Sequence, residues 1–205
     1  MSWLLARVYD RMMAAPEEAC LRTWRAELLA GVAGEVLEIG AGTGASLAAY
    51  GAGVSRLVLS EPDPAMRRQL EVAVTTSRPD ATVVSAPAHA LPLPDASFDV
   101  VASFLVLCSV ADVRQTLAEL RRVLRPQGRL VFLEHVAAEA NPRRLAWQRR
   151  VTPLWRLAAG NCHLARDTAS AIEGAGFVVE ELQRASIRKA MPLARPSIRG
   201  WARRA

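Results

Sequence analysis

An acid and three alternating glycines, Glu38, Gly40, Gly42 and Gly44, stand together in the string EIGAGTG after the apolar residues Val36 and Leu37. Glycine lacks the Cβ that keeps a ligand off the main chain, so a strand ending in such a loop can turn sharply and lie against a small molecule. Glu61 follows seventeen residues after Gly44. A carboxylate at that distance, ending the next strand, can accept hydrogen bonds from both hydroxyls of a ribose. With Ala45 the glycines also satisfy the looser G-x-G-x-x-G/A pattern of dinucleotide loops, so an adenosine cofactor is expected and its kind is left open by this string alone.

A second set of residues could act on whatever meets that cofactor. His135 closes an apolar run and would stand at a strand end, where an imidazole could orient an acceptor or take its proton; tying loops together is the competing role. His163 is a second histidine of this kind, with a purely structural loop position as its alternative. Cys108 and Cys162 could border an acceptor pocket or fill a crowded wall. Trp147, Leu154, Trp155 and Leu157 could line such a pocket opposite Phe104 and Leu105, or belong to the core. The three cysteines, with Cys20, have no C-x-x-C spacing and an odd count. That suits a reducing, cytoplasmic setting, with no disulfide framework and no metal expected.

The elements that must position these residues follow from the pattern of apolar runs. Strands are predicted near Val36–Ile39, Arg56–Ser60, Thr82–Val84, Asp99–Ser103, Arg129–Glu134, Val178–Gln183 and Ser197–Arg203. Between them lie predicted helices at Ala45–Ala49, Ala65–Thr76, Asp112–Leu124, Pro142–Leu157 and Asp167–Ala175. Alternating strands and helices signal an α/β fold with a mostly parallel sheet and helices on both faces. Asp112 and Asp167 or Thr168 supply helix starts, and Pro126, Gly174 and Gly176 supply stops. Residues 1–34 read as a helical extension that could lie over the cleft, and residues 35–205 as the single catalytic domain.

Composition narrows the function classes. A chain of 205 residues that is 51% hydrophobic can bury a core without metals or disulfides. Its apolar runs are too short to span a membrane, although Met1–Ala14 could form an amphipathic helix touching a membrane surface. The formal charge of +6 is spread over Arg121, Arg122, Arg125, Arg143, Arg144, Arg149, Arg150, Arg203 and Arg204. No nucleic-acid motif accompanies it, so a solvated basic surface is expected and no specific nucleic-acid partner. The oligomeric state is left open.

Three ordered blocks decide the cofactor. Glu38 two residues before a G-x-G-x-G loop, ALPLPDASFDVV at Ala90–Val101 and RRVLRPQGRLVFLE at Arg121–Glu134 resemble the class I S-adenosylmethionine-dependent methyltransferases. LVLCSV at Leu105–Val110, EHVAAE at Glu134–Glu139, the later Trp147, Gln148, Pro153, Trp155, Cys162, Leu164 and Arg166, and RPSIRGWA near the end are similar to the thiol S-methyltransferase group of that family. The resemblance implies a Rossmann-like sheet of seven strands in the order 3-2-1-4-5-7-6, with S-adenosyl-L-methionine as cofactor and S-adenosyl-L-homocysteine as its product. It implies that Gly40, Ala41, Gly42 and Gly44 approach the methionyl part and that Glu38 holds its amino group. Glu61 with Pro62 would hold the ribose, and Ala88, His89 and Phe104 would lie by the adenine and the reacting end.

The expected acceptor is small and apolar, a thiol sulfur first. A quinone-like ring carbon, an oxygen and a phospholipid amine stand as enzyme alternatives, an RNA acceptor as a weaker one, and a catalytically silent cofactor-binding domain as the non-enzyme one. Two positions depart from the family pattern. Pro87 stands where many relatives have an adenine-binding acid, and Gln127 stands where the turn usually has glycine.

Overall fold

The structure, a computed structural model, describes residues 3–205, with side chains from Asp10 onward. Met1, Ser2 and the side chains of Trp3–Tyr9, the larger part of the Met1–Ala14 segment on which the surface-contact expectation rests, lie outside the described residues. Seven strands, β1 (Gly34–Ile39), β2 (Val54–Ser60), β3 (Thr82–Val84), β4 (Phe98–Phe104), β5 (Leu124–His135), β6 (Phe177–Ser186) and β7 (Pro196–Arg204), form one sheet. Their order is β3-β2-β1-β4-β5-β7-β6, as the resemblance implied. The first five in that order run parallel, and β7 enters antiparallel between β5 and β6.

Because successive side chains of a strand point to opposite faces, the sheet feeds two cores. Val36, Leu57, Leu59, Val100, Val131 and Leu133 join one of them. It is covered by α2 (Arg22–Leu29) through Leu28 and Leu29 and by α3 (Pro64–Ser77) through Leu70 and Val74. Leu37, Ile39, Val101, Leu130 and Phe132 face the other, covered by α4 (Val113–Val123) and α6 (Thr168–Gly174) through Leu117, Leu120 and Ile172. Glu38 shares the face of Val36, which turns it toward α2 and Arg25.

The helix starts are chemically explicit. Asp63, Asp112 and Asp167 each accept main-chain N–H bonds from the first turn they precede. Asn141 does the same for α5 (Pro142–Ala158). Preceding β1, α1 (Trp3–Pro16) and α2 are joined by a π-helical turn at Glu17–Leu21. Such a turn follows naturally from Pro16, whose missing N–H interrupts the ladder. No helix among the described residues is long and apolar enough to cross a membrane.

One predicted element is corrected. The helix expected at Ala45–Ala49 is a single 3₁₀ turn over Leu47–Ala49. The hydroxyl of Ser46, which would cap a helix there, bonds Glu38 instead, and Gly51 and Gly53 follow before another turn can form. The turn at Gln127 survives without its usual glycine. Gln127 sits at φ 65° and its Oε1 accepts from Arg203.

The β-sheet's antiparallel corner sets where β5 ends, because β7 pairs with β5 up to His135. At Gly200 in β7, a Cβ would lie 1.9 Å from the main-chain oxygen of Glu181 in β6. Gly200→Ala should therefore push β6 off β7 and cost about 3 kcal/mol or more, beyond ordinary overpacking. Urea unfolding followed by circular dichroism checks this; a loss under about 0.5 kcal/mol would show that β6 moves aside freely.

Candidate active site

In a parallel sheet, the chain leaves β1 toward β2 on one side and returns to β4 on the other, opening a crevice at the strands' carboxyl ends. The cleft there measures about 360 Å³. Glu38, the loop residues Gly40, Ala41 and Gly42, and Phe104 with Leu105 form its floor and walls. Asp10, Glu17, Arg22 and Arg25 line it from the N-terminal helices. The extension thus reaches the glycine loop, and Thr43 Oγ1 donates to Asp10 Oδ1 at 2.9 Å.

The glycines act in different ways. At Gly40, φ is 56° and a Cβ would meet Val106 Cγ2 at 2.6 Å, so glycine lets the loop after β4 press on the loop after β1. At Gly42, φ is 59° and a Cβ would have no neighbour nearer than 4.0 Å, leaving open space above the main chain. Gly44, at φ 93°, is closed on by Leu47 and Leu70. Such a bare floor fits the backbone approach that the implied cofactor requires.

Glu38 is buried and accepts from Ser46 Oγ at 2.5 and 2.6 Å and from Tyr50 OH at 2.8 Å. Burial raises its pKa from the ordinary carboxylate value against these bonds, and the nearby charge of Glu61 adds to the rise. Arg25, also buried, pairs with Glu17 and leaves its Nε with no partner. An acid and an arginine with a spare buried donor in one cleft match the two ends of an amino acid. Arg25 was not foreseen: nothing in its sequence neighbourhood marks it, and only the packing of α2 over Glu38 brings it here.

Glu61 is buried too, but it holds the loop rather than the cleft wall. Its Oε2 accepts from the N–H of Gly42 at 2.8 Å and its Oε1 from the N–H of Asp63 at 2.9 Å, while burial raises its pKa. Pro62 and His89 are exposed and Ala88 is buried, none of them on the cleft wall. These residues flank Glu61 at the ends of β2 and β3, where Glu61 N–H bonds Val84 O.

At the ends of β4 and β5 the structure joins residues that the sequence left separate. Glu134 is fully buried, and its carboxylate accepts from Ser103 Oγ at 2.7 Å and from the N–H groups of Val106, Leu107 and Cys108 at 3.0–3.1 Å. That cradle fixes the loop bearing Leu105, which sits at φ 61°. Beside it, His135 Nε2 lies 2.6 Å from Cys162 Sγ, and Cys108, His135 and Cys162 bring one donor atom each within 4.8 Å of the others. The Cys108 thiol is pushed well above its usual pKa by bonding Cys162 and by burial; Cys162 is pulled down by that bond and by His135.

The remaining expected residues divide. His163 is occupied as a brace: its N–H bonds Cys108 O at 2.8 Å and its Nδ1 lies 3.0 Å from Arg166 Nη2. Burial and the charges of Arg166 and Arg156 lower its pKa. Trp155 is half-buried, with its indole nitrogen fully buried near the cysteines. Trp147, Leu154 and Leu157 do not line a pocket with it. They face solvent on α5 at 56%, 73% and 86% exposure, a correction with a clear cause. Gln148, fully buried, accepts from Ala138 N–H and donates to Val136 O and Leu193 O, and this polar anchor turns the apolar stripe outward.

Comparisons with known proteins agree with this fold. A family model described as "Methyltransferase domain" matches residues 37–132. The human thiol S-methyltransferase TMT1A is 34% identical over 200 residues, covering 95% of this chain and 81% of the relative. A demethylmenaquinone methyltransferase of Tropheryma whipplei (strain Twist) is 33% identical over 161 residues, covering 75% of this chain and 61% of its own. An S-adenosylmethionine-dependent methyltransferase from Mesorhizobium loti superposes with a TM-score of 0.65 at 24% identity, over 94% of this chain and 100% of that one.

The two buried acids should respond oppositely to one substitution. The partners of Glu38 are hydroxyls, which can donate or accept, so Glu38→Gln keeps its bonds and sheds a buried charge. Since folding raises this carboxyl's pKa, the ionised form subtracts stability as pH rises through that window. The Glu38→Gln protein should therefore melt no lower than the parent at pH 8. Three partners of Glu134 are main-chain donors that cannot reverse, and even with its oxygen in the Oε1 position Glu134→Gln turns an NH2 group onto the Cys108 N–H, which should cost about 2–3 kcal/mol. Thermal melts of both variants at pH 6 and 8 check the contrast; equal losses would refute it.

Proposed function

Because the chain belongs to the S-adenosylmethionine-dependent methyltransferases, we propose that its acceptor is the sulfur of a small apolar thiol. When bound, S-adenosylmethionine supplies an electrophilic sulfonium methyl, and the family's product is S-adenosylhomocysteine. In the proposed arrangement Glu38 receives the cofactor's amino group and Arg25 its carboxylate. The glycine loop lies under its chain, and Glu61 exchanges its bond with Gly42 for the ribose hydroxyls. The described part of the N-terminal extension closes over the cleft, with the Asp10–Thr43 bond as the latch, and residues 35–205 form the transferase domain.

The observation that carries the choice of acceptor is the state of the acid next to His135. Glu134, at the end of β5, is saturated by four donors and is not free to act as a base. Carbon and alcohol oxygen acceptors need a strong base or an activated ring, whereas a thiol ionises near pH about 8.5 and needs only a modest local field. Phe104 and Leu105 give the cleft an apolar end, and His135 with Cys162 forms a buried, soft polar pair near Leu105. The human relative carries a thiol S-methyltransferase name. The demethylmenaquinone relative keeps ring-carbon methylation as the competing reading.

A methylation assay separates them. Purified protein with S-adenosylmethionine should convert a simple alkyl thiol to its methyl thioether, while the matching alcohol, a demethylated quinone and a phospholipid amine stay unmodified. Thiol transfer no faster than in buffer alone would remove the proposal. His135→Gln should lower kcat by about 10²-fold, the scale of a lost proton-handling group, and should make the rate climb more steeply between pH 6 and 9 as the thiol ionises unaided. Unchanged turnover across that range would leave His135 as a brace between loops.

A further inference from the structure

We propose that Cys108, His135 and Cys162 form a binding site for a thiophilic divalent cation of the zinc class, with one coordination position left for the sulfur of an incoming thiol. The inference deepens the reading of the acceptor and rests on it only for the identity of that last ligand. Two thiols and an imidazole converge from three separate elements: the loop after β4, the end of β5 and the loop after α5. Their donor atoms all lie within 4.8 Å of one another. Tetrahedral zinc, with Zn–S near 2.3 Å and Zn–N near 2.0–2.1 Å, needs donors about 3.5–3.7 Å apart. With every donor within 4.8 Å of the others, shifts of about 1 Å reach that spacing; His135 Nε2 and Cys162 Sγ, in contact at 2.6 Å, would part by about that much.

The geometry around Cys108 explains how the donors are held. Its N–H is fixed by Glu134, its carbonyl by His163 N–H, and Leu107 O and Val110 O by Arg166. A loop pinned at both ends of a cysteine is what a preorganised ligand requires.

The donor set selects the cation. Thiolates with imidazole suit zinc rather than magnesium or calcium, which prefer oxygen. No fourth Cys, His, Asp or Glu joins the group among the described residues, and three protein ligands with a remaining position are the pattern of reactive rather than structural zinc. An alkyl thiol taking that position exchanges its S–H bond for a sulfur–metal bond, releases the proton to solvent and stays bound as thiolate, so that His135 would promote ionisation through the metal it holds instead of taking the proton itself. Leu105 forms the wall between this cluster and the cleft, with its carbonyl 3.4 Å from Cys108 Sγ and its side chain on the cleft.

Cobalt(II) is the probe, because thiolate ligation gives a near-ultraviolet charge-transfer band and tetrahedral geometry gives visible bands. Reduced full-length protein titrated with cobalt chloride should bind one equivalent with both signatures, zinc chloride should displace it, and an added alkyl thiol should shift the visible bands. Cys108→Ser, Cys162→Ser and His135→Gln should each weaken metal binding by more than about tenfold, the loss caused even by removing an outer-shell partner of a metal site. Calorimetry with S-adenosylhomocysteine shows that each variant is folded. Protein that binds S-adenosylhomocysteine but takes up no cobalt or zinc, or takes it up equally in the variants, overturns the site. One equivalent bound with bands that ignore the thiol overturns the open position. Metal-free protein that still methylates a thiol at full rate refutes the metal's part while sparing the acceptor, and metal-loaded protein inert toward every thiol does the reverse.

Discussion

A single carboxylate, Glu134, ties the two halves of the site together. Buried at the tip of β5, it gathers a serine hydroxyl and three consecutive main-chain N–H groups from the end of β4 and the loop that follows. Main-chain donors in a dry interior have no other partners, so the carboxylate and the loop hold each other in one conformation. Everything that follows β4 inherits that conformation. Leu105 is presented to the cleft, Val106 is set against Gly40, and Cys108 is brought beside Cys162. The loop after β1 and the loop after β4 are thus positioned by one anion that touches neither ligand pocket directly.

The sheet makes this possible by where it ends. β5 is long and central, flanked by parallel β4 and antiparallel β7, and its last residues are Glu134 and His135. Placing a charged and a titratable residue at the end of a buried strand requires partners on both sides. The β4 loop supplies them for Glu134. His135 finds Cys162, brought across by α5 and its following loop, and α5 is oriented by the fully buried Gln148 rather than by its apolar residues. Polar contacts, few and buried, decide the geometry that the apolar core merely stabilises.

Much of this fold could be read from the chain. Apolar runs gave all seven strands, because a parallel sheet buried on both faces writes itself as short continuous stretches. Glu38, the glycines and Glu61 stood out because chemistry and spacing coincide within one β-α-β unit. What escaped was of another kind. Ala45–Ala49 has helical composition, but its would-be cap is committed to Glu38 and two glycines follow. Trp147, Leu154 and Leu157 looked like pocket walls because periodicity cannot say which face a polar anchor will claim. Arg25, Glu134 and the Cys108–His135–Cys162 set are long-range meetings; the last three are separated by 27 residues each time, a spacing that matches no ligand motif. Only the closing of the sheet turns those intervals into neighbours.

The π-helical turn between α1 and α2 has a further consequence for how such chains diverge. An α-helix advances about 100° per residue, whereas an i→i+5 turn fits one more residue into about the same rotation. Arg22 and Arg25 lie just past the turn and line the cleft. Loss of a single residue between positions 17 and 21 would let the ladder close as plain α-helix with both guanidinium groups still toward the cleft, while tightening the turn without losing a residue would swing them by roughly 100°. The widened turn thus acts as a shock absorber: a one-residue indel there leaves unchanged the charges a homologue shows to its ligand.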